Sequence, residues 1–249
     1  MKNILNKIYP HPLFLISVLI FTLIGYFRFI SYFMLLIIVH ELGHILVAYL
    51  FKWNIEKVII LPFGGLTKFN EKINRPLIEE FLVAIAGISF QIIFYLLIKN
   101  NIDYKYFNMI NYFIIIFNII PIYPLDGSKI LNVFFNLITS YKNSILLTVI
   151  ISYVFIIVFF LMFFKLNRLL SIVIIFLLLE TNKLYKQRNE LFNKFLLERY
   201  LYEFKFRRKK TINNIDKMKK GCKHLFYIDG KYLTENYFLK KMFDIKNNL

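Results

Sequence analysis

The sequence predicts an all-α polytopic membrane protein with about six transmembrane helices, a short re-entrant or hairpin segment and a small α/β cytoplasmic tail. Three observations carry that expectation. Hydrophobic residues make up 58% of the 249, against roughly 45–50% in a soluble domain. Mean hydropathy is +0.57. Several apolar runs approach or exceed about 18 residues, the length that crosses a bilayer core.

Taken in order, spans are expected at 12–28, 31–50, 78–98, 107–125, 144–164 and 168–182. A basic start precedes the first run, as in a signal peptide. No small-residue cleavage site follows and further spans do, so this run reads as a retained first helix. Between the second and third spans lies VIILPFGGLTKF, residues 58–69. It is apolar but too short to cross, and Pro62, Gly64 and Gly65 break it. Such a segment suits a hairpin or re-entrant loop, packed on protein or lining a cavity. Residues 126–143 read as a cytoplasmic connection.

Loop charge gives the orientation. The 51–77 loop holds Lys52, Lys57, Lys68, Lys72 and Arg75, whereas the opposite loops hold Arg28, Lys99, Lys105, Lys165 and Arg168. With six spans, the 51–77 loop and the tail share one side, and the positive-inside rule puts both termini in the cytoplasm. Formal net charge is +17, and residues 183–249 carry eighteen of the 32 Lys/Arg against seven of the 15 Asp/Glu. The chain therefore divides into a transmembrane domain, 1–182, and a basic tail, 183–249. The tail reads as a surface facing anionic membrane lipid. No recognition motif points to a specific nucleic acid. Cys222 is the only cysteine, which excludes an intramolecular disulfide and a Cys-based metal site.

The chemistry is concentrated in LLIIVHELGHILVAYL, residues 35–50. On a helix, His40 and His44 lie four residues apart on one face, and Glu41 borders that face. Two imidazoles so placed can grip one zinc ion while the carboxylate reaches a water beside it. A metal-free polar cluster is the competing reading. A catalytic zinc usually takes three protein ligands. His11, His224, Glu79, Glu80 and Glu180 lie at interfaces or in the tail. Asp126, in FNIIPIYPLDGSKI, follows a long apolar run and is flanked by Pro121, Pro124 and Gly127. These residues unwind a helix end and can aim a short carboxylate inward. Asp-Gly is also a common turn pair, and the residues alone leave both roles open.

Together these pieces resemble the site-2 protease family of intramembrane zinc metalloproteases. The resemblance covers about residues 31–130. It rests on His40–His44, on Pro62, Gly64 and Gly65, and on Asn118, Pro121, Leu125, Asp126 and Gly127. It implies zinc held by His40, His44 and Asp126, with Glu41 as general base. Asn118, Gly64, Gly65 and Gln91 become candidates for binding substrate or orienting the site. One departure is visible: where the family often has Ala-Gly-Pro-x-x-Asn, this chain reads AGISFQ, with Ile88 and Gln91 at the last two positions of interest. The interrupted 58–69 segment is a plausible gate, to whose edge an extended substrate can add as a strand.

NKFLLERY and MKKGCKHLFYIDGKYL in the tail are similar to the stage IV sporulation protein FB branch of that family. This similarity implies a truncated CBS-like tail and, with it, ATP. It also implies a location in the mother-cell membrane around the forespore, membrane-protein regulators, and a membrane-associated substrate that is the precursor of a late sporulation sigma factor. The alternative is a membrane metal-ion transporter using the same His/Glu/Asp cluster. It predicts polar residues recurring through several spans, and this chain concentrates them at two places. A non-haem iron site can share the ligand set, but Glu41 within the HExxH spacing favours zinc hydrolysis.

Overall fold

The computed structural model describes residues 8–61, 64–98, 104–163, 168–204, 206, 208–228 and 230–246; Pro62, Lys99 and Lys165 fall outside them. Among the described residues, three helices are long and apolar enough to cross a membrane: Phe27–Leu50, Leu77–Ile98 and Tyr141–Met162. The first, α2, has 24 residues and extends about 36 Å at 1.5 Å per residue, more than the roughly 30 Å of a hydrocarbon core. Leu77–Ile98 is α3 and Tyr141–Phe163 is α6. Two apolar helices are shorter: α1 at Pro12–Leu23 and α4 at Tyr104–Ile119.

Residues 126–143 are not the bare connection expected. Pro121 and Pro124 lack an N–H and stop α4. The chain then turns and starts a new helix, α5, at Asp126–Ile138. Leu125 is extended, with φ −64° and ψ 159°, and its carbonyl accepts both the Ser128 N–H at 3.1 Å and the Ser128 hydroxyl at 2.7 Å. Asp126 thus falls in the first turn, where an acidic group suits the positive end of the helix dipole.

Residues 55–61 and 64–69 form the two strands of a β-hairpin. Strands β2 (Ile55–Leu61) and β3 (Gly64–Phe69) pair antiparallel, and β1 (Ile8–Pro10) joins β2 in parallel. The sheet order is β1-β2-β3, so β3 is an edge strand.

Helix α7 runs unbroken from Arg168 to Leu201. Its start is apolar and its second half polar, so one helix continues across residue 182 into the tail. There β4 (Arg208–Ile212) pairs in parallel with β5 (Cys222–Ile228), which pairs antiparallel with β6 (Lys231–Thr234). Helix α8, Glu235–Lys246, follows. Phe192, Phe195 and Leu196 of α7 share a buried core with Ile212, Met218, Phe226 and Leu239. The Tyr141 N–H donates to the Met218 carbonyl at 2.9 Å, which docks this core on the start of α6.

Candidate metal centre

Helix α2 brings His40, Glu41 and His44 inward, and all three are buried. Close packing of α2 on α3 makes this possible. A side chain at Gly43 would strike the Ala86 carbonyl and Phe90, so glycine lets the backbones approach. On α3, a side chain at Gly87 would strike the Nε2 atoms of His40 and His44. The missing Cβ leaves room for the two rings.

Asp126 arrives from α5. Its Oδ2 lies 2.9 Å from His40 Nε2 and 3.0 Å from His44 Nε2, and the two Nε2 atoms are 3.2 Å apart. One ligand atom from each residue therefore lies within 4.8 Å of the others. Donors held about 2.0–2.1 Å from a tetrahedral zinc sit roughly 3.3–3.4 Å apart, so the triangle needs to open by only a few tenths of an ångström.

The hydrogen bonds behind the rings settle which nitrogens face inward. His44 Nδ1 lies 2.7 Å from the Val83 carbonyl, which only accepts, so Nδ1 carries the proton. Gln91 donates its amide N–H groups to the Asn111 carbonyl at 3.3 Å and to Asn111 Oδ1 at 3.0 Å. That leaves Gln91 Oε1 to accept from His40 Nδ1 at 3.1 Å. With Nδ1 as the protonated nitrogen, each ring in its neutral form presents an Nε2 lone pair to the other ring and to a carboxylate. Three potential donor atoms converge, an arrangement that positive charge between them stabilises. A divalent cation that accepts nitrogen and oxygen donors fits it.

Glu41 faces the hairpin. Its Oε2 accepts a short hydrogen bond from the Thr67 hydroxyl. A side chain at Gly65 would run into the Glu41 carboxylate, whereas one at Gly64 would meet nothing within 4 Å. Gly65 thus lets β3 lie directly on the glutamate, and Gly64 does not share that role. Asn118 is buried, but the bond it makes is from Nδ2 to the Ile114 carbonyl of its own helix, at 3.0 Å. It does not join the cluster.

Sequence reasoning missed Thr67, Lys129 and the Val83 carbonyl. Lys129 Nζ donates to Asp126 Oδ1 at 2.8 Å. Its signal was present, one turn after Asp126, but only for a segment read as a helix. A cavity of about 320 Å³ reaches His44 from between α3, α5, α6 and α7, and Glu80, Lys129, Asn132 and Thr148 line part of it. Its lining is mostly apolar, with these few polar groups leading towards the cluster.

The profile of peptidase family M50 matches residues 28–102. Stage IV sporulation protein FB of Bacillus subtilis is 31% identical over 256 residues, covering 94% of this chain and 89% of that protein. A zinc metalloprotease of Methanocaldococcus jannaschii is 35% identical over 106 residues, covering 38% of this chain and 30% of that one. The structure of a site-2 protease from the same organism matches with a TM-score of 0.58 at 23% identity, over 71% of this chain and 89% of the other. That last likeness speaks to the fold alone.

Proposed function

This chain belongs to peptidase family M50 and is a zinc metalloprotease of the site-2 protease type, and from that premise we propose that His40, His44 and Asp126 hold the zinc ion while Glu41 is the general base. The observation that carries this reading is the convergence of two Nε2 lone pairs and one carboxylate oxygen, with both Nδ1 positions already occupied. When bound, zinc makes a water acidic enough to attack near neutral pH and polarises the scissile carbonyl. Glu41 takes the proton and returns it to the leaving amine. Gln91 and the Val83 carbonyl fix the rings of His40 and His44. Thr67 and Gly65 fix the glutamate. The free edge of β3 offers the strand to which an extended substrate adds.

The membrane arrangement belongs to the same proposal. Six spans, both termini in the cytoplasm and a division near residue 182 follow from the apolar runs and the loop charges. In that division the second half of α7 belongs with the tail. The substrate is a membrane-associated protein, and the likeness to stage IV sporulation protein FB over 94% of the chain supports the precursor of a late sporulation sigma factor. It supports equally the mother-cell membrane around the forespore and regulation by other membrane proteins. No finding supports ATP at the tail, and the metal-ion transporter is not favoured.

The test is co-expression with a membrane-tethered sigma-factor precursor, wild type beside Glu41→Gln. Cleavage by wild type alone supports both base and substrate. No cleavage by a folded, zinc-loaded wild type removes this substrate. Equal cleavage by both proteins removes Glu41 as the base.

A further inference from the structure

We propose that Lys129 is a positioning residue for the metal centre: it occupies Oδ1 of Asp126 and so confines that carboxylate to ligation through Oδ2 alone. The inference rests on the reading of His40, His44 and Asp126 as the zinc ligands.

The two oxygens of Asp126 are divided between two tasks. Oδ2 faces His40 Nε2 and His44 Nε2 at 2.9 and 3.0 Å, while Oδ1 accepts from Lys129 Nζ at 2.8 Å. Lys129 sits three residues along α5, on the face of the helix that Asp126 occupies. The Asp126 carboxylate is almost wholly buried, and the Lys129 side chain, 36% exposed, reaches it from the cavity that leads to His44.

The division matters because a carboxylate can ligate through one oxygen or two. Two imidazoles and a two-oxygen carboxylate already supply four donors, so that the water then adds as a fifth and the centre is no longer tetrahedral. A catalytic centre needs three protein donors and one open position. A charge-assisted hydrogen bond is strong enough to hold Oδ1 away from the ion. The competing reading is an ordinary helical ion pair that does nothing for the metal. That reading leaves the ligation mode independent of residue 129.

The experiment uses the full chain in detergent, in a Glu41→Gln background so that no turnover disturbs the spectrum, loaded with Co²⁺. The lysine protein is expected to give the intense visible absorption of four-coordinate cobalt. Lys129→Met is expected to lower that intensity about threefold, at unchanged cobalt content, as a second carboxylate oxygen raises the coordination to five. Lys129→Arg, which keeps a donor, should restore it. With Glu41 intact and zinc bound, Lys129→Met should lower kcat roughly 10–100-fold with KM little changed. A Lys129→Met spectrum identical to that of the lysine protein overturns the proposal and leaves the metal site standing. Loss of cobalt from both Lys129→Met and Lys129→Gln also overturns it, because all three donors remain. If the parent binds no cobalt, or if His40→Ala binds it as well as the parent does, the ligand assignment has failed and the inference falls with it.

Discussion

At the scale of single residues, two imidazole nitrogens and a carboxylate oxygen are held together by groups that do not touch the reaction. Gln91 is the clearest case. Its carbonyl oxygen accepts from His40 Nδ1, and its amide is anchored to Asn111. Leucine in its place removes the partner of the buried His40 Nδ1–H and of Asn111 Oδ1, a loss of about 1–3 kcal/mol for each group. Gln91→Leu is therefore expected to weaken zinc binding by roughly 10–100-fold, measured by competition with a chelator, and Gln91→Asn to fall between. Unchanged affinity would remove Gln91 from the centre. Gly87→Ala makes a second demand. Its methyl would meet the Nε2 atoms of His40 and His44, so the purified variant is expected to carry little zinc. That His40, Glu41 and His44 would face one place was legible in the sequence, because HExxH has a fixed spacing that a helix brings to one face. Gln91 was legible only as a likeness of position. Its contact with His40 spans 51 residues of chain, and no local pattern encodes such a distance.

At the scale of elements, the hairpin and α5 decide how the site is enclosed. The hairpin was legible, since Pro62, Gly64 and Gly65 interrupt an apolar run too short to cross. The sequence did not say that β3 lies on Glu41, because a glycine chosen for close approach looks like one chosen for a turn. Helix α5 was misread for a physical reason. Two prolines and an Asp-Gly pair usually mark a loop, yet here they end one helix and start another within six residues. Thr67 belongs to this scale, as the link between hairpin and base. Thr67→Val keeps the shape of β3 and removes the hydroxyl that donates to Glu41 Oε2. The expected result is normal zinc content with turnover lowered by roughly 10–150-fold, the loss of one hydrogen bond to a carboxylate in a confined site. Gly65→Ala should lower turnover further than Gly64→Ala does, since only the former meets the carboxylate. Equal effects at the two glycines would mean that β3 does not bear on Glu41.

At the scale of the whole molecule, the tail is tied to the segment that joins the hairpin to α3. Glu198 accepts from the backbone N–H groups of Ile73 and Asn74 at 3.0 and 3.1 Å, and from Asn74 Nδ2 at 3.1 Å. Asn74 Oδ1 accepts from Arg199 Nε at 2.8 Å, and Arg199 Nη1 donates to Glu235 Oε1 at 2.9 Å. Glu235 Oε2 in turn accepts the His224 N–H at 2.7 Å. Lys220 reaches Glu80 at the start of α3. None of this was legible, because a basic tail reads as solvated charge until its few acids are seen to be buried. The Arg199–Glu235 pair is 1% and 5% exposed, so removing one partner strands the other. Glu235→Ala is expected to destabilise the tail by about 3–5 kcal/mol, seen as faster hydrogen exchange in β5. Acid should act on the same contact. Burial alone pushes the Glu235 carboxyl up, but hydrogen bonds from His224 and the Arg199 charge more than offset this and hold it below its usual 4.5. The ionised form thus favours the docked tail. Its contribution is complete above about pH 4.5 and is lost as pH falls through the lowered value of the folded state. Protection of β5 amides, taken relative to their intrinsic exchange rate at each pH, should therefore fall on acidification below that point in the wild type. In Glu235→Gln, which has nothing to titrate there, the acid limb of protection should flatten, with low protection already present at neutral pH. An acid limb of the same size in both proteins would assign it to other carboxylates and leave Glu235 a packing residue.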